Sequence, residues 1–113
     1  VVIDGKLRTY NADYHSIGGR PLRPGSSHIL KFSSHELECS KPTTVYMLSD
    51  GYLDQFGGED GKKYNLTQFK QLVSDINHFD FEKQKKIFED TMLKWMDNYK
   101  QIDDMLIIGF RFG

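Results

Sequence analysis

The chain holds one cysteine, Cys39, so no internal disulfide framework can form, and a reducing, cytoplasmic compartment is expected. No apolar run approaches the ~20 residues of a membrane span, and no signal-peptide pattern is visible. Neither sign of charge prevails: 15 basic residues against 16 acidic give a net charge of −1. That balance removes the strong field that would favour nucleic acid or an anionic membrane surface, so neither is an expected partner. Repeats and low-complexity tracts are lacking. With 113 residues there is length for one domain, and a chain of this size buries roughly 60–70% of its unfolded surface, enough for one modest core.

What is present changes character midway. The first 48 residues carry strand and turn signals. Val1 to Ile3, Asp4-Gly5 and Lys6 to Ala12 predict a hairpin, because Asp-Gly suits a tight type I′ turn. Ser16 to Gly19 is a short apolar-glycine element, and residues 20–27, with Pro21, Pro24 and Gly25, predict a loop. His28 to Phe32 is a strand candidate and Glu36 to Cys39 a weaker one. Thr43 to Leu48, "TTVYML", is β-branched and aromatic and gives the strongest strand signal. From there the period lengthens. Leu66, Phe69, Leu72, Val73 and Ile76 fall at helical spacing and predict a helix over 66–77. Asp80 can cap a second helix over about 81–99, whose apolar stripe is Phe81, Phe88, Met92, Trp95, Met96 and Tyr99. "MLIIGFRF", Met105 to Phe112, predicts a closing strand. Strands, two helices and a strand in that order make an α+β domain, with the helices set against a sheet.

Several motifs fail on spacing. "FGGEDGKK" lacks the glycine six residues before Lys62 and the hydroxyl after it that a phosphate loop needs; those positions hold Phe56 and Lys63. A calcium loop starting at Asp50 would need glycine and an acid where Gln55 and Tyr52 stand. His15, His28, His35, His78 and Cys39 show no zinc spacing. Lys62 and Lys63 could attract a phosphoprotein, although exposed lysines are usually only solvated.

The surviving signal is acidic. "SDGYLDQFGG" sets Asp50 at the end of the strand 43–48, and Asp103 and Asp104 open the strand 105–112. A carboxylate at the end of a half-buried strand is either an ordinary turn residue or the ligand of a hard divalent cation. If the two strands are antiparallel neighbours, Asp50 and Asp103 converge. Asp54 and Gln55 either support the Asp50 turn or face solvent.

"VYMLSDGYLDQFGGEDGKKYN", then "FKQLV", "EKQKKIFEDTMLKW" and "QIDDMLIIGFRF", resembles the C-terminal half of SpoIIE-like (stage II sporulation protein E) serine phosphatase domains. These belong to the metal-dependent, type 2C-like protein phosphatases. "SIGG", Ser16 to Gly19, fits the same pattern. The resemblance implies part of a β-sandwich flanked by helices, and a site that takes two Mn²⁺ or Mg²⁺ ions. It implies that Asp50 and Asp103 are metal ligands, with Asp104, Gly51 and Asp54 as supporting positions around them. It further implies hydrolysis of phosphoserine or phosphothreonine on a regulatory protein in bacterial signal transduction, such as a two-component system, with a sensor or receiver domain upstream. The acidic boxes that complete the family's site are not among these residues; Asp4 and Asp13 do not sit in such boxes. Residues 1–113 are therefore expected to be one C-terminal segment of a phosphatase domain, inactive by itself, with self-association through uncovered strand edges. The apolar start at Val1-Val2-Ile3 fits a segment of a longer protein. The alternative is a catalytically degenerate module that binds a signalling partner.

Overall fold

The structure, a computed structural model, describes residues 1–15, 17–18 and 31–113. Its elements are β1 (Val2–Ile3), β2 (Lys6–Leu7), β3 (Thr43–Leu48), α1 (Asp50–Asp54), β4 (Phe56–Gly57), β5 (Lys62–Lys63), α2 (Asn65–Ile76), α3 (Phe81–Met96) and β6 (Ile107–Phe112). The α+β architecture is the expected one. Four strands form an antiparallel sheet in the order β2-β1-β3-β6, and β4 pairs with β5 in a separate ribbon.

The N-terminal hairpin turns on Asp4 (φ 48°) and Gly5 (φ 74°). Positive φ at both central residues is what a type I′ turn demands, and the pairs Val2–Leu7 and Ile3–Lys6 close around it. β3 runs beside β6 for its whole length, from Thr43 opposite Phe112 to Leu48 opposite Ile107. That register sorts the side chains. Tyr46, Leu48 and Ile107 pack on the core beneath the helices. Cross-strand partners on the opposite face include Met47, Ile108, Phe110 and Phe112, all of them exposed.

The helices cover one face of the sheet. Asn65 adopts φ 68° and its Oδ1 accepts the Gln68 N–H at 3.1 Å, so it caps α2 from within the first turn. Asp80 caps α3 as expected, accepting the Lys83 N–H at 2.8 Å. Phe69, Val73 and Ile76 of α2 join Phe88 and Met92 of α3 in the buried core. Phe69 stacks on Phe88, and Tyr52 meets Tyr64, Phe69 and Phe88 edge-on. Leu72 and Trp95 are half-buried rather than fully enclosed. A polar residue shares the stripe: Gln84 is 1% exposed, accepts from the Tyr46 hydroxyl at 2.8 Å and donates to the Phe79 carbonyl at 2.8 Å. Both ends of its amide are satisfied, so its burial is tolerated.

Several expectations are corrected. The second hairpin strand stops at Leu7 instead of running to Ala12. Glu36 to Cys39 is not a strand; among the described residues it finds no ladder partner, and its alternating glutamates face solvent. The second helix ends at Met96, because Asp97 turns to φ 43°. Asp50 does not end β3 but opens the five-residue α1. Asp103 and Asp104 do not open β6, which starts at Ile107, because the ladder opposite them is interrupted where Ser49 turns into α1. The predicted loop over 20–27 lies outside the described residues, as do Ser16 and Gly19 of the apolar-glycine element and residues 28–30 of the strand candidate. Lys31 and Phe32 are not in a strand.

Candidate functional site

The two acidic boxes that the chain does contain, Ser49-Asp50-Gly51 and Asp103-Asp104, meet at the end of the β3–β6 pair. The Ser49 N–H donates to the Leu106 carbonyl at 3.0 Å, extending the ladder one step past Leu48. The Ser49 hydroxyl then acts twice: it donates to the Asp104 carbonyl at 3.0 Å and accepts the Leu106 N–H at 3.0 Å. β3 thus hands the chain to α1 with the Asp103–Asp104 segment already fastened beside it. Gly51 permits the approach. A Cβ there would overlap the Asp104 carbonyl oxygen and stand 2.9 Å from the Asp104 carbonyl carbon and 3.3 Å from that of Asp103. No residue but glycine fits without moving the backbone.

The carboxylates have different surroundings. Asp50, in the first turn of α1, is exposed, as are Asp103 and Asp104. Asp103 Oδ1 accepts the Asp104 N–H at 2.8 Å, and the Asp103 carbonyl accepts from the Gln101 side chain at 2.8 Å. Asp50, Asp103 and Asp104 form no ion pair among the described residues. Asp54 is turned elsewhere: its Oδ1 meets Lys63 Nζ at 3.1 Å across β5. The main chains of the two boxes are brought together. Among the described residues, however, no three His, Cys, Asp or Glu side chains are grouped to hold a metal ion. As donors, the exposed carboxylates suit Mn²⁺ or Mg²⁺, which prefer hard oxygen ligands. Their number falls short of a full coordination shell, so water or groups outside this set would have to complete it.

Gln55, expected either to support the Asp50 turn or to face solvent, does not face solvent. It is 0% exposed. Its Nε2 donates to the Phe56 carbonyl at 3.0 Å and to the Lys100 carbonyl at 2.9 Å, and its Oε1 accepts the Ile102 N–H at 3.4 Å. Its backbone carbonyl accepts the Tyr64 N–H at 2.9 Å and the Trp95 indole N–H at 3.0 Å. Gly57 and Gly58 lie against Trp95, and only Gly58 has positive φ, at 67°. Gly57 is required by the close approach of Trp95 instead. The place of Gln55 beside Asp54 was the only sequence signal for it, because the partners that matter for the site, Trp95, Lys100 and Ile102, lie 40, 45 and 47 residues downstream.

One solved structure similar to this chain is the SiaA-PP2C domain of Pseudomonas aeruginosa, at 33% identity and a TM-score of 0.61 over 62% of this chain. The chain spans 29% of the length of that structure's chain. No family model matches, and no curated protein matches. The likeness supports a type 2C phosphatase-like module with the fold described above.

Proposed function

We propose that this chain is the C-terminal part of a metal-dependent protein serine/threonine phosphatase domain, in the manner of the SpoIIE-like family. One observation carries the reading. In a fold similar to a type 2C phosphatase domain, the Ser49-Asp50-Gly51 turn lies directly against Asp103-Asp104. Asp50 and Asp103 would hold the ion, with Asp104 and Gly51 shaping the surface between them. A bound Mn²⁺ or Mg²⁺ would supply an acidified water and neutralise phosphoryl charge. The protein's own share is positional. α1 and the 101–106 segment fix where the carboxylates emerge, and the core beneath them resists displacement. The substrate on this reading is a phosphorylated regulatory protein, with a sensor or receiver domain as the upstream partner.

The test is Asp50→Asn in the longer protein that carries this segment, assayed with manganese and a phosphopeptide. The substitution removes a charged ligand with little change of shape, so turnover should fall to background; activity retained in the mutant refutes the role. The 113-residue chain alone should bind Mn²⁺ weakly and hydrolyse phosphate esters negligibly, since among the described residues too few carboxylates converge to fix two ions. Robust metal-dependent turnover by a monomer of this chain would overturn that argument. The shortage of converging carboxylates among the described residues also favours a second reading, a phosphatase-like module that docks a signalling partner without catalysis. Full activity of the longer protein, abolished by Asp50→Asn, would dismiss it.

A further inference from the structure

We infer that Gln55 is a positioning residue that sets the register of the Asp103–Asp104 segment against the Asp50 turn. The inference rests on the reading of Asp50 and Asp103 as metal ligands, but its structural half can be tested without metal.

The two acidic boxes are gripped from both sides of α1. Ser49, immediately before the helix, holds the downstream end of the 100–106 segment through the Asp104 carbonyl and the Leu106 N–H. Gln55, immediately after it, holds the upstream end through the Lys100 carbonyl and the Ile102 N–H. Asp50 lies between the two grips on one strand of chain, and Asp103 lies between them on the other. A helix of five residues has little stability of its own, so these cross-links and the packing of Tyr52 hold it in place.

Gln55 is suited to this task and ill-suited to a merely solvated one. Its amide is fully buried, and its donors and acceptor all have partners. Its side-chain hydrogen bonds all go to backbone groups, those of Phe56, Lys100 and Ile102. Its own main chain is anchored in turn by Trp95 from α3 and by Tyr64 ahead of α2. The position of Asp103 is thereby tied to both long helices through one side chain. Groups hydrogen-bonded directly to a metal ligand typically matter by about 10–100-fold in affinity, and Gln55, which acts through the main chain beside Asp103, belongs at the low end of that range.

The experiment compares the wild-type chain with Gln55→Met, which keeps length and apolar volume but loses the amide. Amide hydrogen exchange and Mn²⁺ binding by water-proton relaxation are measured on each. Exchange at Ile102 and Asp104 should quicken roughly tenfold in the variant, while amides of α2 and α3 keep their rates. Mn²⁺ affinity should fall about tenfold. Tyr46→Phe, which removes a part-buried hydrogen bond to Gln84 near the start of α3, should change neither quantity. If Gln55→Met does not fold, Gln55→Asn, which keeps the amide but shortens its reach, takes its place. Unchanged exchange across 100–106 in a folded variant overturns the inference, and so does a uniform rise over the whole chain. Asp50→Asn measured alongside separates the two claims. If it binds Mn²⁺ as well as wild type, the metal reading fails, while the exchange data still decide the role of Gln55.

Discussion

Replacing Gly51 with alanine sets two physical effects of opposite sign against each other. Gly51 sits inside α1 with no positive φ, so alanine should favour the helical backbone by about 0.5–1 kcal/mol. The added methyl, however, would run into main chain. It would overlap the Asp104 carbonyl oxygen, with the carbonyl carbons of Asp104 and Asp103 at 2.9 and 3.3 Å. Backbone cannot swing aside as a side-chain tip can, so the 103–104 segment must move as a unit. Overpacking of this kind costs about 1–3 kcal/mol. The movement also stretches the 3.0 Å bond from the Ser49 hydroxyl to the Asp104 carbonyl, worth about 1 kcal/mol. The clash should win by roughly 1–3 kcal/mol, lowering the thermal midpoint by about 5–15 °C. Urea and thermal unfolding followed by circular dichroism would measure both. Gly109→Ala is the matched comparison: its methyl would meet only the edge of the Phe81 ring at 3.0 Å, and that ring is half exposed and able to shift. A Gly51→Ala chain as stable as wild type, or more so, would refute the claim that the two boxes are in main-chain contact.

Two further outcomes follow from the core. Trp95→Ala should cost about 2–3 kcal/mol in urea unfolding, below the range for a fully enclosed tryptophan because the side chain is half-buried, and a near-neutral value would show that its contacts with Gln55 and Tyr64 carry no weight. Burial pushes the phenols of Tyr52, Tyr64 and Tyr46 up, with the neighbouring Tyr64 adding to the effect at Tyr52. The folded chain then keeps protons that the unfolded chain releases near pH 10, so stability is intact below about pH 10 and drains away above it. Thermal midpoints at pH 9 and 11 should show the loss, alongside phenol absorbance titrating late for these rings; a flat profile would contradict their burial.

The long elements were legible because their signals are local. Asp4-Gly5 dictated the hairpin turn, "TTVYML" the central strand, and the spacing of Phe69, Val73 and Ile76 a helix that ends within one residue of its expected limit. Short elements escaped the same reasoning. α1 spans five residues, less than two turns, so no periodic stripe can declare it, and Asp50 read as a strand end. The ribbon of β4 and β5 has two residues per strand, and Trp95 packs over its glycines from the far side of the sequence. The candidate site was legible as two acidic boxes that would meet if β3 and β6 were antiparallel neighbours, which they are. The grip of Ser49 and Gln55 on 100–106 was not legible, since hydrogen bonds between residues 45 to 57 positions apart leave no mark on composition or period.

Trp95 is the only tryptophan in the chain, and its indole N–H is bound to the Gln55 carbonyl while Tyr64 lies edge-on at 5.4 Å. The molecule therefore carries a built-in optical reporter whose emitting ring touches the same residue that fastens the acidic boxes together. Loosening α1 from α3 would release that hydrogen bond, admit water to the ring and move its emission towards the red. Excitation passed from Tyr64 would weaken in step as the two rings separated. An unmodified sample in a cuvette can thus report on the assembly of the site, without label, ligand or turnover.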